Sequence, residues 1–533
     1  MSVTFIGCKK IWTGSSQEGD AMLFSEEGII AVGRREDVRA HPAYGASRKV
    51  ELGESVVVPG LSDCHIHLLA YAKQKLFVDV SGARSKEELL GMLAARARDA
   101  APDDWVCAFN LNEARWSVPV MPTARDLDAL GVPNPILVQR TCTHATILNT
   151  AAMKRCGLDA VTSRKDVLLG DDGMPNGILV EEVQAVAHAK MSSESFTRER
   201  LLDSLARCLE ETASYGLTTL YACGAATLGM EEQMDLYQEL RERGALRARI
   251  FSYHDEPALP PMASVFGDRQ IAYQGHKLFL DGSLGARTAA LSEPYSDAPS
   301  ETGMLLHETD ELARTLTGLR ERGTQALVHT IGDAALEQLL DAAELATENA
   351  KSRTWGIGVK YPPIIVNHCM IVRPDQIERM KKLGLAATVQ PTFVFSDRVM
   401  APQRLGDRID KRWAYVWKSL IDAGIRLNGS SDCPIEPLNP WLAIRAAVTR
   451  EAQDGVWMPE QRLPLDEALR MYTVNPAVNS GSDEWRGTIA KGKEADFAVL
   501  EEDIFTSREE GRVPARVTCT VLGGRVVYGE LEE

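Results

Sequence analysis

The sequence predicts an α/β fold: a TIM-type (β/α)8 barrel with a small β-sandwich domain built from both termini and an insertion after the first barrel strand. Three observations support this prediction. Short apolar segments alternate with amphipathic helical stretches through the middle of the 533-residue chain, a pattern typical of parallel strands joined by helices. Eight such segments can be counted, the number that closes a barrel. Both chain ends contain strands and turns without helices between them.

The two ends of the chain are predicted to form one small domain, residues 1–57 plus 484–533. Each end contains short runs of β-branched and apolar residues separated by turn-forming residues. Gly523-Gly524 occupies the position of a hairpin turn in the last run. The predicted strands are 3–6, 21–24, 28–33, 49–52, 496–500 and 519–528.

The middle of the chain, residues 58–483, is predicted to form the barrel. Its candidate strands are 56–61, 218–222, 249–253, 277–280, 326–329, 364–368, 386–390 and 426–432. Amphipathic stretches between them predict helices at 196–215, 312–322, 334–349, 374–383 and 413–423.

The gap between the first and second candidate strands is too long for a simple crossover and predicts an insertion at about 69–200. It contains its own strand-like segments, 105–109 and 135–139. An insertion at this point would lie near the C-terminal face of the barrel, where barrel enzymes bind substrate. A role in stability or in dimerisation is an equally good interpretation.

Composition limits the classes of partner. The charges sum to 59 − 75 = −16, which argues against nucleic acid or an anionic membrane. The ten cysteines form no CxxC pair, so neither a zinc ribbon nor a disulfide framework is indicated. No apolar run approaches the roughly 18 residues of a membrane span, and the first residues do not resemble a signal peptide. We expect a cytoplasmic enzyme with a small-molecule substrate, and a homodimer is a reasonable assembly.

The most informative motif is His65-Ile66-His67, at the end of the apolar run that begins at Val56. On a strand, residues i and i+2 point to the same side. Two imidazoles on one side can bind one metal ion. A buried histidine that only packs in the core is the alternative, so the pair alone is weak evidence.

Four further polar residues stand at ends of the candidate strands: Lys277, His329, His368 and Asp432. Catalytic groups of barrels cluster at such ends. The structural alternatives are a buried ion pair of Lys277 with Asp281 or Asp432, core histidines bonded to backbone, and a capping aspartate. A neutral lysine amine could instead take up carbon dioxide and become a carbamate, whose two oxygens could bridge two metal ions.

These residues resemble the ligand set of the metal-dependent amidohydrolase superfamily, strand by strand. The closer resemblance is to the branch of YtcJ-like and N-substituted formamide deformylase-like proteins, and it covers nearly the whole chain. The motifs that carry it are Pro59-Gly60-Leu61-Ser62-Asp63, residues 277–288, His329-Thr330-Ile331-Gly332-Asp333 and Asn475-Pro476-Ala477.

The resemblance implies a metal site and a reaction. The implied metal residues are His65, His67, Lys277, His329, His368 and Asp432. Asp432 would also be the general base, and Lys277 an N6-carboxylated bridge. One or two divalent ions, with zinc expected, would activate water for hydrolysis of an amide, N-acyl or formamide carbon–nitrogen bond.

His144 is a candidate second catalytic residue. With Arg140 and Asn149 it resembles a polar triplet of the family. It could donate a hydrogen bond to the oxyanion, or it could pack within the insertion.

Three other functions stay open. A deaminase could use the same barrel, although such sites typically resemble His-x-x-Glu after the fifth strand and lack the fourth-strand lysine. Ester or lactone hydrolysis needs the same activated water. A non-catalytic scaffold would not need a metal, yet all six strand-end positions carry suitable groups. The substrate itself cannot be identified from the sequence, because loops and the insertion select it.

Overall fold

The computed structural model describes residues 2–141, 144–224, 229–255, 266–349, 364–410, 413–452, 455–505 and 516–532. The chain divides into two compact units. The first contains Met1–Leu68 and Ala206–Glu533, and the second contains Leu69–Leu205.

The first unit contains a TIM-type barrel, which confirms that part of the predicted fold. Each strand pairs in parallel with the next along the chain. The eight strands are β1 (Leu61–Ile66), β2 (Leu217–Cys223), β3 (Arg249–His254), β4 (Ile271–Phe279), β5 (Gln325–Thr330), β6 (Ile364–His368), β7 (Ala386–Val389) and β8 (Leu427–Gly429).

The ends of the barrel sheet meet next to the predicted site. Beyond β8, the Asp432 amide donates to the His65 carbonyl at 2.8 Å, and the His67 amide donates to the Cys433 carbonyl at 2.9 Å. These two bonds hold the segment that follows β8 against the end of β1. The first and last ligand positions are therefore fixed to each other by backbone.

The predicted strand 56–61 is wrong in its bounds, because two strands meet there. Val56–Pro59 belongs to the terminal sheet, and β1 begins only at Leu61. Proline has no amide hydrogen to continue a ladder. A Cβ on Gly60 would lie 2.2 Å from Thr218 Oγ1, so a side chain at this position would clash with the neighbouring strand.

Two other barrel strands differ most from their predicted lengths. β4 begins at Ile271 rather than at Lys277, since its first half contains polar residues that conceal the apolar pattern. β8 is only three residues long, and Asp432 lies in the turn after it. Strand ends are the least reliable part of a sequence-based assignment.

Helices lie between the barrel strands and elsewhere along the chain. Pro374–Leu383 is an example: proline occupies its first turn, and Gly384 ends it in the left-handed conformation with φ 68°. The α-helices are Arg35–Arg39, Leu68–Lys75, Lys86–Arg98, Ala124–Asp128, Thr150–Arg155, Gln184–Ser195, Arg198–Ser214, Met230–Glu242, Thr309–Arg322, Asp333–Asn349, Pro374–Leu383, Phe393–Ser396, Ala401–Leu405, Asp407–Asp410, Trp417–Asp422, Pro440–Thr449, Leu465–Tyr472 and Val474–Asn479. Within the described ranges, none combines the length and the apolar character needed to cross a bilayer.

Both chain ends contribute strands to one mixed sheet in the first unit. Val56–Pro59 lies at its centre, between strands from the two termini. In sheet order the strands are Arg525–Gly529, Val517–Leu522, Phe497–Leu500, Val56–Pro59, Thr4–Trp12, Glu18–Ser25 and Gly28–Gly33, with Arg48–Glu51 paired to Thr4–Trp12. A sandwich would need a second sheet packed on this one, and that part of the expectation stays a prediction.

The second unit is built on a six-stranded sheet with its own core. Leu89 and Leu93 of one helix are buried in a cluster with Val106, Ile136 and Val138. In sheet order its strands are Val167–Leu169, Pro175–Val180, Ala145–Leu148, Ile136–Arg140, Val106–Leu111 and Val78–Asp79.

Candidate metal centre

The predicted residues lie at one edge of the barrel. His65 is in β1, and His67 follows it. Lys277 is near the end of β4, and His329 is the last residue but one of β5. His368 ends β6, and Asp432 follows β8. Because the strands are parallel, these ends meet at the same face.

Four of the six side chains converge closely. Oδ1 of Asp432 lies 3.1 Å from Nε2 of His65 and 3.3 Å from Nε2 of His67. Ligand atoms of His65, His368 and Asp432 all lie within 4.8 Å of one another. The ring centroids of His329 and His368 are 4.4 Å apart, which places His329 beside this group. The arrangement brings nitrogen and carboxylate donors around one point.

Lys277 is buried and unpaired. Its side chain is 2% exposed, and Nζ has no hydrogen-bond partner among the described residues. Its amine lies 4.9 Å from the centroid of the Phe279 ring. Burial lowers the pKa of this amine. The alternative of an ion pair with Asp281 or Asp432 is not found within the described part of the chain.

Burial keeps the imidazoles of His65, His329 and His368 neutral by lowering their pKa values. It lowers the pKa of His65 to about 3 and that of His329 to about 4, with a further contribution from the Lys277 charge. The pKa of His368 is lowered well below its usual range, first by burial and then by His329. A neutral imidazole has a lone pair available for a metal ion.

Asp432 is a buried carboxylate that stays ionised. Burial alone would raise its pKa, but the imidazoles of His65, His67 and His368 outweigh that effect and hold the pKa well below its usual range. The site therefore combines neutral nitrogen donors with one anionic oxygen donor at neutral pH.

The other ring nitrogen of each buried imidazole has a partner that fixes which nitrogen faces the site. His65 Nδ1 lies 2.8 Å from Cys223 Sγ, and His368 Nδ1 lies 2.9 Å from Gln390 Oε1. His329 Nε2 lies 3.1 Å from the Gly282 carbonyl. These contacts leave Nε2 of His65, Nε2 of His368 and Nδ1 of His329 for an ion.

His368 Nε2 has one competing contact. Asn367 Nδ2 donates to it at 2.8 Å, a bond that an ion at this nitrogen would replace. Sequence reasoning did not single out Cys223, Gln390 or Gly282. Cys223 ends β2 and Gln390 directly follows β7, but a position at a strand end does not show which ligand a residue contacts.

Two buried aspartates hold the loops that carry the ligands. Asp63 accepts hydrogen bonds from the amide and hydroxyl of Ser431, next to Asp432. Asp281 accepts from the amides of Ala290, Ile331 and Gly332, and so ties the loops after β4 and β5 together. Burial raises the pKa of both carboxyl groups to about 7.

The backbone at the site is held in an unusual conformation. His368, Cys369 and Asp432 have φ values of 70°, 47° and 57°. Residues other than glycine rarely adopt this region, and such residues concentrate at functional sites. His368 and Asp432 are the two of these residues whose side chains belong to the cluster.

His144 belongs to the second unit. Its side chain is 69% exposed, and Nδ1 lies 3.1 Å from Glu181 Oε2. Its role at an oxyanion therefore stays a prediction. Arg287, in the loop after β4, donates from Nε and Nη2 to Asp297, at 3.1 and 2.9 Å. It ties down this loop.

The donor set fits a divalent transition metal. Among the described residues, Lys277 Nζ is buried without a hydrogen-bond partner, and Asp432 Oδ1 is buried beside the imidazole nitrogens of His65 and His67, an arrangement that is costly unless another group satisfies these atoms. Imidazole nitrogen with carboxylate oxygen suits zinc and its neighbours in the first transition series.

Comparisons with known proteins agree with this geometry. The model of the amidohydrolase family matches residues 49–528. YtcJ of Bacillus subtilis (strain 168) is 31% identical, over 98% of this chain and 99% of that protein. N-substituted formamide deformylase of Arthrobacter pascens is 24% identical, over 91% of this chain and 90% of that protein.

Solved structures give the same result. An uncharacterized metal-dependent hydrolase from Pyrococcus horikoshii OT3 superposes with a TM-score of 0.77 at 28% identity, over 96% of this chain and 100% of that chain. A metal-dependent hydrolase from Pyrococcus furiosus, also uncharacterized, gives 0.75 at 26% identity, over 94% of this chain and 99% of that chain. The resemblance predicted from the motifs is confirmed, and the chain belongs to the amidohydrolase family.

Proposed function

We propose that the protein is a metal-dependent hydrolase that cleaves an amide-type carbon–nitrogen bond, such as an N-acyl or formamide bond, in a small molecule. The observation that carries the proposal is the convergence of imidazoles, those of His65 and His368 buried, on the buried carboxylate of Asp432. His65, His67, His329, His368 and Asp432 would hold the ion.

A bound divalent cation, with zinc the expected one, would lower the pKa of a water molecule toward about 7 and polarise the substrate carbonyl. A modification of Lys277 would decide whether the site holds one ion or two. Its unpaired amine could add to carbon dioxide and lose a proton to become a carbamate, which would contribute two more oxygen donors.

Asp432 is suited to move the proton. Its ionised carboxylate can accept a proton from the attacking water and deliver it to the departing nitrogen. His65 and His67 lie beside Oδ1 and hold this oxygen in place. The backbone bond from the Asp432 amide to the His65 carbonyl fixes the same geometry.

The name of the Arthrobacter pascens relative supports N-substituted formamides as the first substrates to test. Metal-loaded protein should be screened with N-substituted formamides, N-acyl amino acids and cyclic amides, with release of formate or amine as the readout. We expect turnover of at least one class. Asp432→Asn should reduce it by about a thousandfold or more, because it removes both a ligand and the base.

Asp375→Asn is the control, since Asp375 is an exposed carboxylate paired with Arg373, and it should keep wild-type turnover. Loaded wild-type protein that hydrolyses none of the three classes, or an Asp432→Asn variant as active as the control, would contradict the proposal.

A further inference from the structure

Cys223 is the contact partner of His65 on the side away from Asp432. It is the last residue of β2 and is 2% exposed. Its Sγ lies 2.8 Å from His65 Nδ1, whereas His65 Nε2 lies 3.1 Å from Asp432 Oδ1. Thiol, imidazole and carboxylate therefore form one continuous chain of contacts.

The partner of Nδ1 decides whether Nε2 can bind an ion. A neutral imidazole has one N–H, and it must be at Nδ1 if the lone pair of Nε2 is to face the metal. Whatever lies at Nδ1 selects the tautomer.

A thiol differs from the partners of the other two histidines. The Gly282 carbonyl and the Gln390 Oε1 can only accept a hydrogen bond. A thiol can donate through S–H or accept at sulfur. It can donate to Nδ1 while His65 directs Nε2–H at Asp432, and it can accept from Nδ1–H when the ring proton moves from Nε2 to Nδ1.

We propose that Cys223 is the positioning residue of His65: its sulfur accepts a hydrogen bond from Nδ1–H in the tautomer whose Nε2 can bind metal, and so raises the affinity of the site for metal. The inference rests on the metal site of the proposed function, and it adds a residue that neither touches substrate nor binds the ion. Loss of the thiol should leave Nδ1 without a buried partner and disfavour the tautomer that binds metal.

Cys369 offers a matched control. It is 1% exposed and directly follows the ligand His368, but its thiol makes no hydrogen bond within the described ranges. Cys223→Ala and Cys369→Ala each remove one fully buried sulfur beside a metal ligand. Both variants lose stability through the cavity that they create, but only Cys223→Ala removes a contact to an imidazole.

The test measures metal affinity of the full-length protein by competition for Zn²⁺ against a chromophoric chelator. Cys223→Ala should bind Zn²⁺ about 10- to 100-fold more weakly than wild type, the usual effect of removing a partner of a ligating histidine. Cys369→Ala should match wild type. Cys223→Ser keeps a donor and an acceptor, and should restore affinity to within about threefold of wild type.

The visible spectrum of the Co²⁺-loaded proteins is a second readout, because it reports the ligand field directly. We expect it to change in Cys223→Ala and to be unchanged in Cys369→Ala. Equal Zn²⁺ affinities for the two alanine variants, or a Cys223→Ser variant as weak as Cys223→Ala, would overturn the inference. If Cys223→Ala fails to fold, Cys223→Val takes its place against the same serine variant.

The assay needs no substrate, which separates it from the proposed function. Wild-type protein that binds Zn²⁺ and hydrolyses nothing would remove the proposed activity and leave the Cys223 result valid. Wild-type protein that binds no Zn²⁺ would overturn both.

Discussion

Two clusters of buried polar side chains lie inside the same barrel and differ in how their hydrogen-bonding groups are satisfied. In the first, Gln325 Oε1 accepts from Tyr253 Oη at 2.6 Å and from Gln274 Nε2 at 3.0 Å, and Gln325 Nε2 donates to the Asn479 carbonyl at 2.8 Å. The Asn479 side chain continues this network by donating to Asn428 Oδ1 at 2.8 Å.

The metal centre is the second cluster, and its key atoms are less well satisfied. Among the described residues, Lys277 Nζ is buried without a hydrogen bond, and the neighbours of Asp432 Oδ1 are two imidazole nitrogens that are themselves expected ligands. Buried polar groups are normally paired because desolvation is costly. The Gln325 cluster is therefore a structural network that stabilises the barrel, although Gln274 Oε1 has no hydrogen-bond partner among the described residues, whereas the metal centre is a cluster that a bound ion would complete.

The largest expected effect on stability comes from disrupting the Gln325 cluster. Gln325→Ala should lower the free energy of unfolding by about 4 kcal/mol, because it takes a partner from three buried groups and leaves a cavity. Urea denaturation measures this. Gln17→Ala, which loses one exposed bond to the Val32 carbonyl, should change stability by less than about 0.5 kcal/mol. A small effect of Gln325→Ala would remove the distinction between the clusters.

The next effect depends on pH. The folded-state pKa of His329 is lowered from its usual 6.5 to about 4 by burial. Between these two values the unfolded chain binds a proton that the folded metal-free protein does not. Stability is therefore lost as the pH falls, by up to about 1.4 kcal/mol per pH unit for this group.

His329→Gln removes that proton difference. The stability of wild type relative to the variant should fall by about 3 kcal/mol between pH 6.5 and 4. Comparison of the two metal-free proteins cancels the opposing contributions of Asp63 and Asp281, whose pKa values are raised. Denaturation curves of the two proteins that stay parallel across this range would show that His329 is not kept neutral.

The smallest expected effect has the opposite sign. Lys277→Met should raise the unfolding free energy of the metal-free protein by about 1 to 2 kcal/mol, because it replaces an unpaired buried amine with an apolar chain of similar length. The same change should abolish any carboxylated lysine detected by mass spectrometry under non-acidic conditions.

Lys86→Met is the comparison for that variant. Lys86 is a partly exposed lysine paired with Asp126, and its loss should change stability by less than about 0.5 kcal/mol. A destabilised Lys277→Met would mean that the amine has a structural partner, as in the first cluster.

Much of the barrel was predictable because its signals are local. Apolar runs ended by polar residues identified the eight strands, and the segment 364–368 was predicted with its observed bounds. The same strand-end rule predicted the residues that the structure brings together. The bounds of β1 were wrong because one apolar run serves two sheets, and only the tertiary contact of Gly60 with Thr218 separates them.

The partners of the ligands were not predictable in the same way. Cys223 and Gln390 are ordinary strand-end residues in the sequence, and their importance comes from contacts with His65 and His368 across the barrel. His144 resembles a family residue by motif, but a motif does not fix a distance to a site. Local pattern predicts elements, whereas the second partner of a ligand depends on packing between strands.

The most direct test of the account is an anomalous-scattering map at the zinc edge from crystals of the Zn²⁺-loaded protein. We predict a peak bounded by His65, His67, His329, His368 and Asp432, with any second peak beside Lys277. A map with no peak among these residues, from protein shown to contain zinc, would contradict the assignment of this cluster as the metal centre.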